Sequence, residues 1–274
     1  AQTEKRRAAV AEFSKTMAKE LAAAGGGLKQ ALLRAADEGR EEKIAWLLEV
    51  GADINETDID GRTPLYIVAR DGKDQAVELL LKAGADKDKA RTTNTTPLYI
   101  AAAEGHDKVV GLLLKAGADK EKAMTDPAYP WTPALASASR GRRQALLLLL
   151  RAGARPAAAG TTVLHEAARE GHLGVVDDIV TVYPKPERWL AFLMSTGTAT
   201  ARAAQLPPEH QQLFLGAIYK QVDVLRHIRS FLHKPRYLAD LDTRDSDGKT
   251  AAYWAQTNGH EAIVALLKDS GATV

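Results

Sequence analysis

The sequence predicts an all-α solenoid of about seven helix-pair repeats joined by hairpin loops, preceded by one N-terminal helix. Three observations predict it. First, TPLYIVARDGK at Thr63–Lys73 returns almost unchanged as TPLYIAAAEGH at Thr96–His106. Further copies start at Thr132 (TPALASASRGR), Thr162 (TVLHEAAREGH) and Thr250 (TAAYWAQTNGH), and the first four starts are 33, 36 and 30 residues apart. A fixed period with loops of varying length is the signature of a stacked array. Second, AVELLLKAGAD, VVGLLLKAGAD and ALLLLLRAGAR follow the first three copies, each an apolar run stopped by Gly-Ala. Third, 45% of residues are hydrophobic but only 5% aromatic. The core is therefore built from Ala, Leu, Val and Ile, which suits close helix packing better than a sheet sandwich.

The N-terminal segment places Val10, Phe13, Met17 and Leu21 at steps of 3, 4 and 4, one face of a helix, and Gly25–Gly27 then breaks it. Two readings stay open for residues 1–27: a cap over the first repeat, or a helix that docks on a partner. Residues 28–274 form the repeat domain. Its first unit, Leu28–Asp53, lacks Thr-Pro but keeps Gly39 and the Gly51-Ala52 stop. In the following units Thr is suited to cap the first helix and Pro64, Pro97 and Pro133 to open it. Gly72, Gly105, Gly141, Gly171 and Gly259 are suited to end it.

Together, TPLYIAAAEGH, the succeeding VVGLLLKAGAD and the 33-residue spacing resemble the ankyrin repeat, whose signature is T-P-L-H-x-A-A-x-x-G-H. The GADKDKA and GADKEKA linkers resemble those of algal and protist members of that family. The match is close at Thr63, Thr96, Thr162 and Thr250 and looser at Thr132. By register, LFLGAIYKQVDVLRHI (Leu213–Ile228) is expected to supply a seventh unit between the Thr162 and Thr250 copies, with Lys220 in place of the turn glycine. The rhythm fails between them, and an irregular insertion is expected at about 184–208. There WLAFLM is read as an extra helical turn or two, and the insertion leaves the stack without ending it.

Catalytic, cofactor and metal sites are not expected. His165-Glu166 begins an H-E-x-x-H pattern, but position 169 is Arg169. His106, His172 and His260 follow turn glycines in separate repeats and do not converge. The Gly25–Gly27 run has no Gly-Lys-Ser/Thr after it, no G-x-S-x-G is present, and the chain has no cysteine. Asp58/Asp60 and Asp245/Asp247 fall in the hairpin loops, where Asp commonly forms Asx turns. Two basic clusters, Arg140/Arg142/Arg143 and Arg226–Tyr237, read as solvated faces, with an acidic partner or RNA as the lesser reading.

The resemblance implies an interaction module, a scaffold or adaptor for one or more proteins, rather than an enzyme. A permanent structural subunit or assembly factor of a larger complex is the alternative. The binding face implied is concave and made of hairpin tips and first helices. In the second unit it holds Ile59, Asp60, Arg62, Arg70 and Asp71; in the third, Thr92, Thr93, Thr95, Ala103 and Glu104. In the fourth, the lengthened loop TDPAYPWTP brings Tyr129 and Trp131 near a tip, and Arg140 lies at the turn. The fifth contributes Ala158, Ala159, Thr161, Arg169 and Glu170, and the last contributes Trp254. Trp131 is read either as a binding anchor or as folded back onto the AAAGTT loop.

With 37 basic and 35 acidic residues, the net charge of +2 argues against nucleic acid as the partner. No apolar run reaches the eighteen or so residues of a membrane span. A monomer or one subunit of a hetero-complex is expected, in the cytoplasm, with a chloroplast or other organelle as the alternative. The chain does not open on Met, and removal of a preceding segment, by design or by processing, is the expected reason.

Overall fold

The computed structural model describes residues 12, 14–16, 18–19, 27–124, 131–158, 160–182 and 241–273. The chain divides into two compact units, Ala1–Ala159 and Gly160–Val274. Unit 1 holds four helix pairs: α1 Gly27–Glu38 with α2 Glu41–Glu49, α3 Pro64–Arg70 with α4 Asp74–Lys82, α5 Pro97–Glu104 with α6 Asp107–Lys115, and α7 Pro133–Ser139 with α8 Arg143–Arg151. A two-residue strand, β1 (Ala157–Ala158), lies at its end. Unit 2 opens on β2 (Thr161–Thr162) and holds α9 Val163–Arg169, α10 Leu173–Val182, α11 Ala251–Thr257 and α12 Glu261–Asp269. Among the described residues the structure is therefore mostly helical, with very little strand.

Local chemistry starts each first helix. Thr63, Thr96, Thr132, Thr162 and Thr250 stand in extended backbone. Each hydroxyl accepts the N–H three residues on, at 3.1 to 3.3 Å. Where proline follows, its missing N–H is one the helix start would leave unpaired anyway. In unit 1 each first helix lies between its neighbours, α3 touching α1 and α5, and α5 touching α7. The second helices α2, α4, α6 and α8 pack in a row behind them. Hence α3 and α5 are buried on nearly all sides, while α4 and α6 bury only Ala76, Val77 and Leu80, and Val109, Val110 and Leu113. Leu32, Leu65, Leu98 and Leu135 run through the core from repeat to repeat, all fully buried.

Two sets of hydrogen bonds join adjacent repeats. At Gly72, Gly105 and Gly141 the residue after the turn glycine reaches back to a carbonyl near the end of the preceding first helix. Lys73 Nζ donates to the Asp37 carbonyl. His106 Nε2 lies 2.8 Å from the Arg70 carbonyl and Arg142 Nε 3.2 Å from that of Ala103. Glycine is required beneath this bridge: at Gly72 (φ +69°) a Cβ would strike the His106 ring. The loops form a second ladder. Asn55 Oδ1 accepts the Asp86 N–H at 2.9 Å, Asp88 Oδ1 that of Asp119 at 2.8 Å, and Glu121 Oε1 that of Arg155 at 2.9 Å.

Unit 2 repeats this geometry across a long gap in sequence. Helix α9 packs on α11, and α10 on α12. His260 Nε2 lies 3.0 Å from the Arg169 carbonyl, the bond His106 makes to Arg70. Asp242 Oδ1 accepts the Thr273 N–H at 2.7 Å, as in the loop ladder. The Thr250 repeat thus stacks directly on the Thr162 repeat. This corrects the expected order. Leu213–Ile228 lies outside the described residues, but the layer it was expected to fill is closed by the contact of α9 with α11. The expected insertion at 184–208 and WLAFLM also lie outside the described residues. Near the N-terminus, residues 12, 14–16, 18 and 19 are helical; Val10, Phe13, Met17 and Leu21, the expected apolar face, lie outside the described residues.

Candidate interaction face

The hairpin before α3 is a tip closed by hydrogen bonds to Asp58. Asp58 Oδ1 accepts the N–H groups of Asp60 (2.9 Å) and Arg62 (2.8 Å), and Asp58 Oδ2 takes the Arg62 Nε–H at 2.6 Å. The Asp58 N–H closes the loop on the Arg62 carbonyl at 3.1 Å. Partial burial pushes the Asp58 carboxyl up, but the Arg62 backbone and guanidinium outweigh it and hold the group below its ordinary value. Arg62 also reaches Asp60 at 3.2 Å. The next tip is tied to this one, since the Thr92 N–H and hydroxyl both donate to the Asp60 carbonyl at 3.2 and 3.0 Å. On this braced loop Ile59 stands 98% exposed.

Beyond it, Thr92 and Thr93 are exposed. Thr95 is not: it is only 6% exposed, with its hydroxyl 3.2 Å from that of Thr93 and 3.5 Å from the Tyr66 hydroxyl. Ala103 is likewise fully buried. The expectation that these two face a partner is corrected. A side chain as short as Thr95 is covered by the hairpin on which it stands, whereas Arg62 in the same register is long enough to emerge.

The ends of the first helices carry charges that pair across repeats. Arg70 bonds Asp71 at 2.6 Å and Asp37 of the preceding repeat at 3.1 Å. The bond to Asp71 raises Arg70 above its usual value. Asp71, which burial alone would raise, is held low by Arg70 and Lys73. Glu104 meets Arg140 of the next repeat at 2.5 Å. Pairs this exposed contribute at most about 1 kcal/mol each, so a partner's charges can replace them cheaply. Trp131 is half-buried and packs on Tyr99, Ala103 and Ala136, with Met124 beside it. The Met124 N–H donates to the Trp131 carbonyl at 3.0 Å. Tyr129 and Ala159 lie outside the described residues.

In unit 2, Glu170 is exposed, but Arg169 and Trp254 are engaged with their own unit. The Arg169 guanidinium lies over the Trp254 ring at 4.3 Å, and Trp254 Nε1 donates to Asp245 Oδ2 at 2.6 Å. His165 Nε2 bonds the Lys249 carbonyl at 3.0 Å and Nδ1 the Thr162 hydroxyl at 2.8 Å. Burial lowers the His165 pKa, and both ring nitrogens are taken up by bonds within the unit. The expected residues therefore fall into two groups: Ile59, Asp60, Arg62, Arg70, Asp71, Thr92, Thr93, Glu104 and Arg140 along unit 1, and Arg169, Glu170 and Trp254 in unit 2. Asp37 joins the first group and was not singled out in the sequence; its register, two residues before Gly39, matches Arg70 before Gly72.

Among the described residues no group of three His, Asp or Glu side chains is placed to hold a metal ion. No described helix is long and apolar enough to cross a membrane. Residues 32–124 match the family model of ankyrin repeats, in three copies. No curated protein matches the chain.

Proposed function

From the premise that residues 32–124 are ankyrin repeats, we propose that the chain is a scaffold or adaptor whose partner protein lies along the hairpin tips and first-helix ends of unit 1. Ile59 is the observation that carries this reading. An aliphatic side chain 98% exposed on a loop has no folding role, and the same register holds Thr92 and Ser246 in other tips. The tip is also held in place by Asp58, Arg62 and Thr92, so little entropy is lost when a partner closes on it. Neighbouring Asp60, Arg62, Glu104 and Arg140 present both signs of charge, which suits a protein surface better than a uniformly anionic nucleic acid.

The test is to isolate the native protein with its partner and compare Ile59→Ser, Thr93→Arg and Glu104→Arg. Each should weaken the complex by tenfold or more, about 1.4 kcal/mol, with thermal unfolding unchanged. If all three bind like the wild type, the partner lies elsewhere. A single stoichiometric complex surviving purification would favour a permanent subunit; exchange on dilution would favour an adaptor.

A further inference from the structure

The second helices of unit 1 turn one side to the core and the other to solvent. Each of α2, α4, α6 and α8 is nine residues long, and the fourth and seventh residues of each are buried. The second, fifth and ninth therefore form the outer crest, at steps of 3 and 4. On α2 the crest reads Glu42, Ala45, Glu49, and on α4 Gln75, Glu78, Lys82. On α6 it reads Lys108, Gly111, Lys115, and on α8 Gln144, Leu147, Arg151. Every charged residue among these is exposed. The row thus runs from acidic at α2 to basic at α6 and α8, with α4 neutral because Lys82 pairs with Glu78 at 2.7 Å. Beside the crests Leu48, Leu79, Leu112 and Leu148 are partly exposed.

Gly111 departs from the helix in which it stands. Glycine in a helix interior is destabilising, and nothing in the unit requires it here. Its φ is not positive, and a Cβ would meet no atom within 4 Å outside its own helix. The hollow it leaves lies on the crest, one turn from Lys108 on one side and from Lys115 on the other. Lys108 is 85% exposed and reaches Asp74 only at 3.5 Å. A hollow between two such lysines suits an acidic side chain brought from outside the unit.

We propose that unit 1 binds a second copy of this chain through the crest of its second helices, about a twofold axis lying in that face, parallel to the helices and between α4 and α6. A twofold interface must be complementary to itself, and this one is. The rotation lays α4 over α6 of the second copy and α2 over α8. Residues at the same position in their helices come level. Glu78 enters the hollow over Gly111 of the second copy, between its Lys108 and Lys115, and Ala45 faces Leu147, so small meets large at both. Glu49 meets Arg151. The like charges that come level on the crest, Lys82 and Lys115, share Glu78 between them. The other twofold in the face, along the row of helices, sets Glu42 against Glu49, Glu78 against itself and Lys108 against Lys115, so charge selects the first. Four helices about 13 Å long and about 9 Å apart present about 500 Å² per copy, or about 1,000 Å² in the pair, the lower bound for specific association. The dimer is therefore weak and concentration-dependent. This inference is independent of the partner face proposed at the hairpin tips.

Sedimentation equilibrium of the full chain tests it. The wild type should pass from monomer to dimer in the micromolar range. Glu78→Lys and the double variant Lys108→Glu/Lys115→Glu each set like charges in the hollow, and each should weaken self-association by about tenfold or more. Mixed one to one, the two variants should associate like the wild type, because each altered site then meets its opposite. A wild type that stays monomeric at submillimolar concentration would overturn the proposal, even if a different protein binds the face. So would variants that dimerise like the wild type. Two monomeric variants that do not pair when mixed would overturn the twofold arrangement. If either variant loses helical circular dichroism, Glu49→Arg and Arg151→Glu, alone and mixed, put the same question to the outer helices.

Discussion

Asp58 and Asp245 hold the same place, five residues before the capping threonine of their repeats, and do the same work. Each Oδ1 accepts the N–H groups two and four residues on. Burial would raise both carboxyls, but these bonds outweigh it, joined by the Arg62 guanidinium at Asp58 and by the Trp254 Nε1–H at Asp245. A carboxyl whose folded pKa is depressed adds stability that is present above its ordinary value and lost as pH falls through the folded one. Asp58→Ala should therefore cost about 1–2 kcal/mol at pH 7. Its deficit against the wild type should shrink as pH drops below the ordinary value of 3.8. Urea unfolding at pH 7 and at pH 3 checks this; a deficit equal at both would remove the ionised carboxylate from the account. Trp131 leads to a second expectation. Its packing on Tyr99, Ala103 and Ala136 means that Trp131→Ala should lower stability by about 1–3 kcal/mol. Scanning calorimetry would show it, and an unchanged midpoint would mean the indole is dispensable to the core. The Asx turns were legible because Asp in a hairpin has few other tasks. The inward turn of Thr95 was not, since sequence register says which residue stands on a tip but not whether it is long enough to leave it.

At the level of elements, threonine, proline and glycine made every described first helix after the initial repeat readable. What they did not reveal is the seam between repeats. Lys73, His106, Arg142 and His260 share one task, donating to a carbonyl of the preceding helix while covering its turn glycine. Their chemistry differs so much that no pattern search would group them. What they share is a nitrogen donor at the end of a side chain long enough to cross the seam. His106→Lys should accordingly stay within about 0.5 kcal/mol of the wild type, while His106→Ala loses the bond to the Arg70 carbonyl and about 1 kcal/mol. Chemical denaturation of both variants decides it. Equal losses would mean that the imidazole ring itself, packed over Gly72, is what matters.

The order of layers is a property of the whole chain, and here periodicity alone misleads. A weak match at Leu213–Ile228 looks like a missing turn of the solenoid because a solenoid has a layer for every period. Contacts carry different information: α9 meets α11, and the His260 bond to the Arg169 carbonyl reproduces the one His106 makes to Arg70 between repeats one period apart. Two adjacent layers can be joined by a long connection, because closure entropy grows only with the logarithm of its length. It follows that the connection can be shortened. Replacing residues 183–241 by Ala-Gly-Ala-Asp-Lys, the sequence of 83–87, restores a 14-residue connection from Val182 to Ala251. The shortened chain should fold with α11 on α9 and hold its last repeat more tightly, by about 1.4 kcal/mol from loop closure. Hydrogen exchange of 251–269 in the shortened and full chains measures this directly. Slower exchange after shortening agrees with direct stacking. Faster exchange, or failure to fold, would show that residues 183–241 contribute packing that the Thr250 repeat needs.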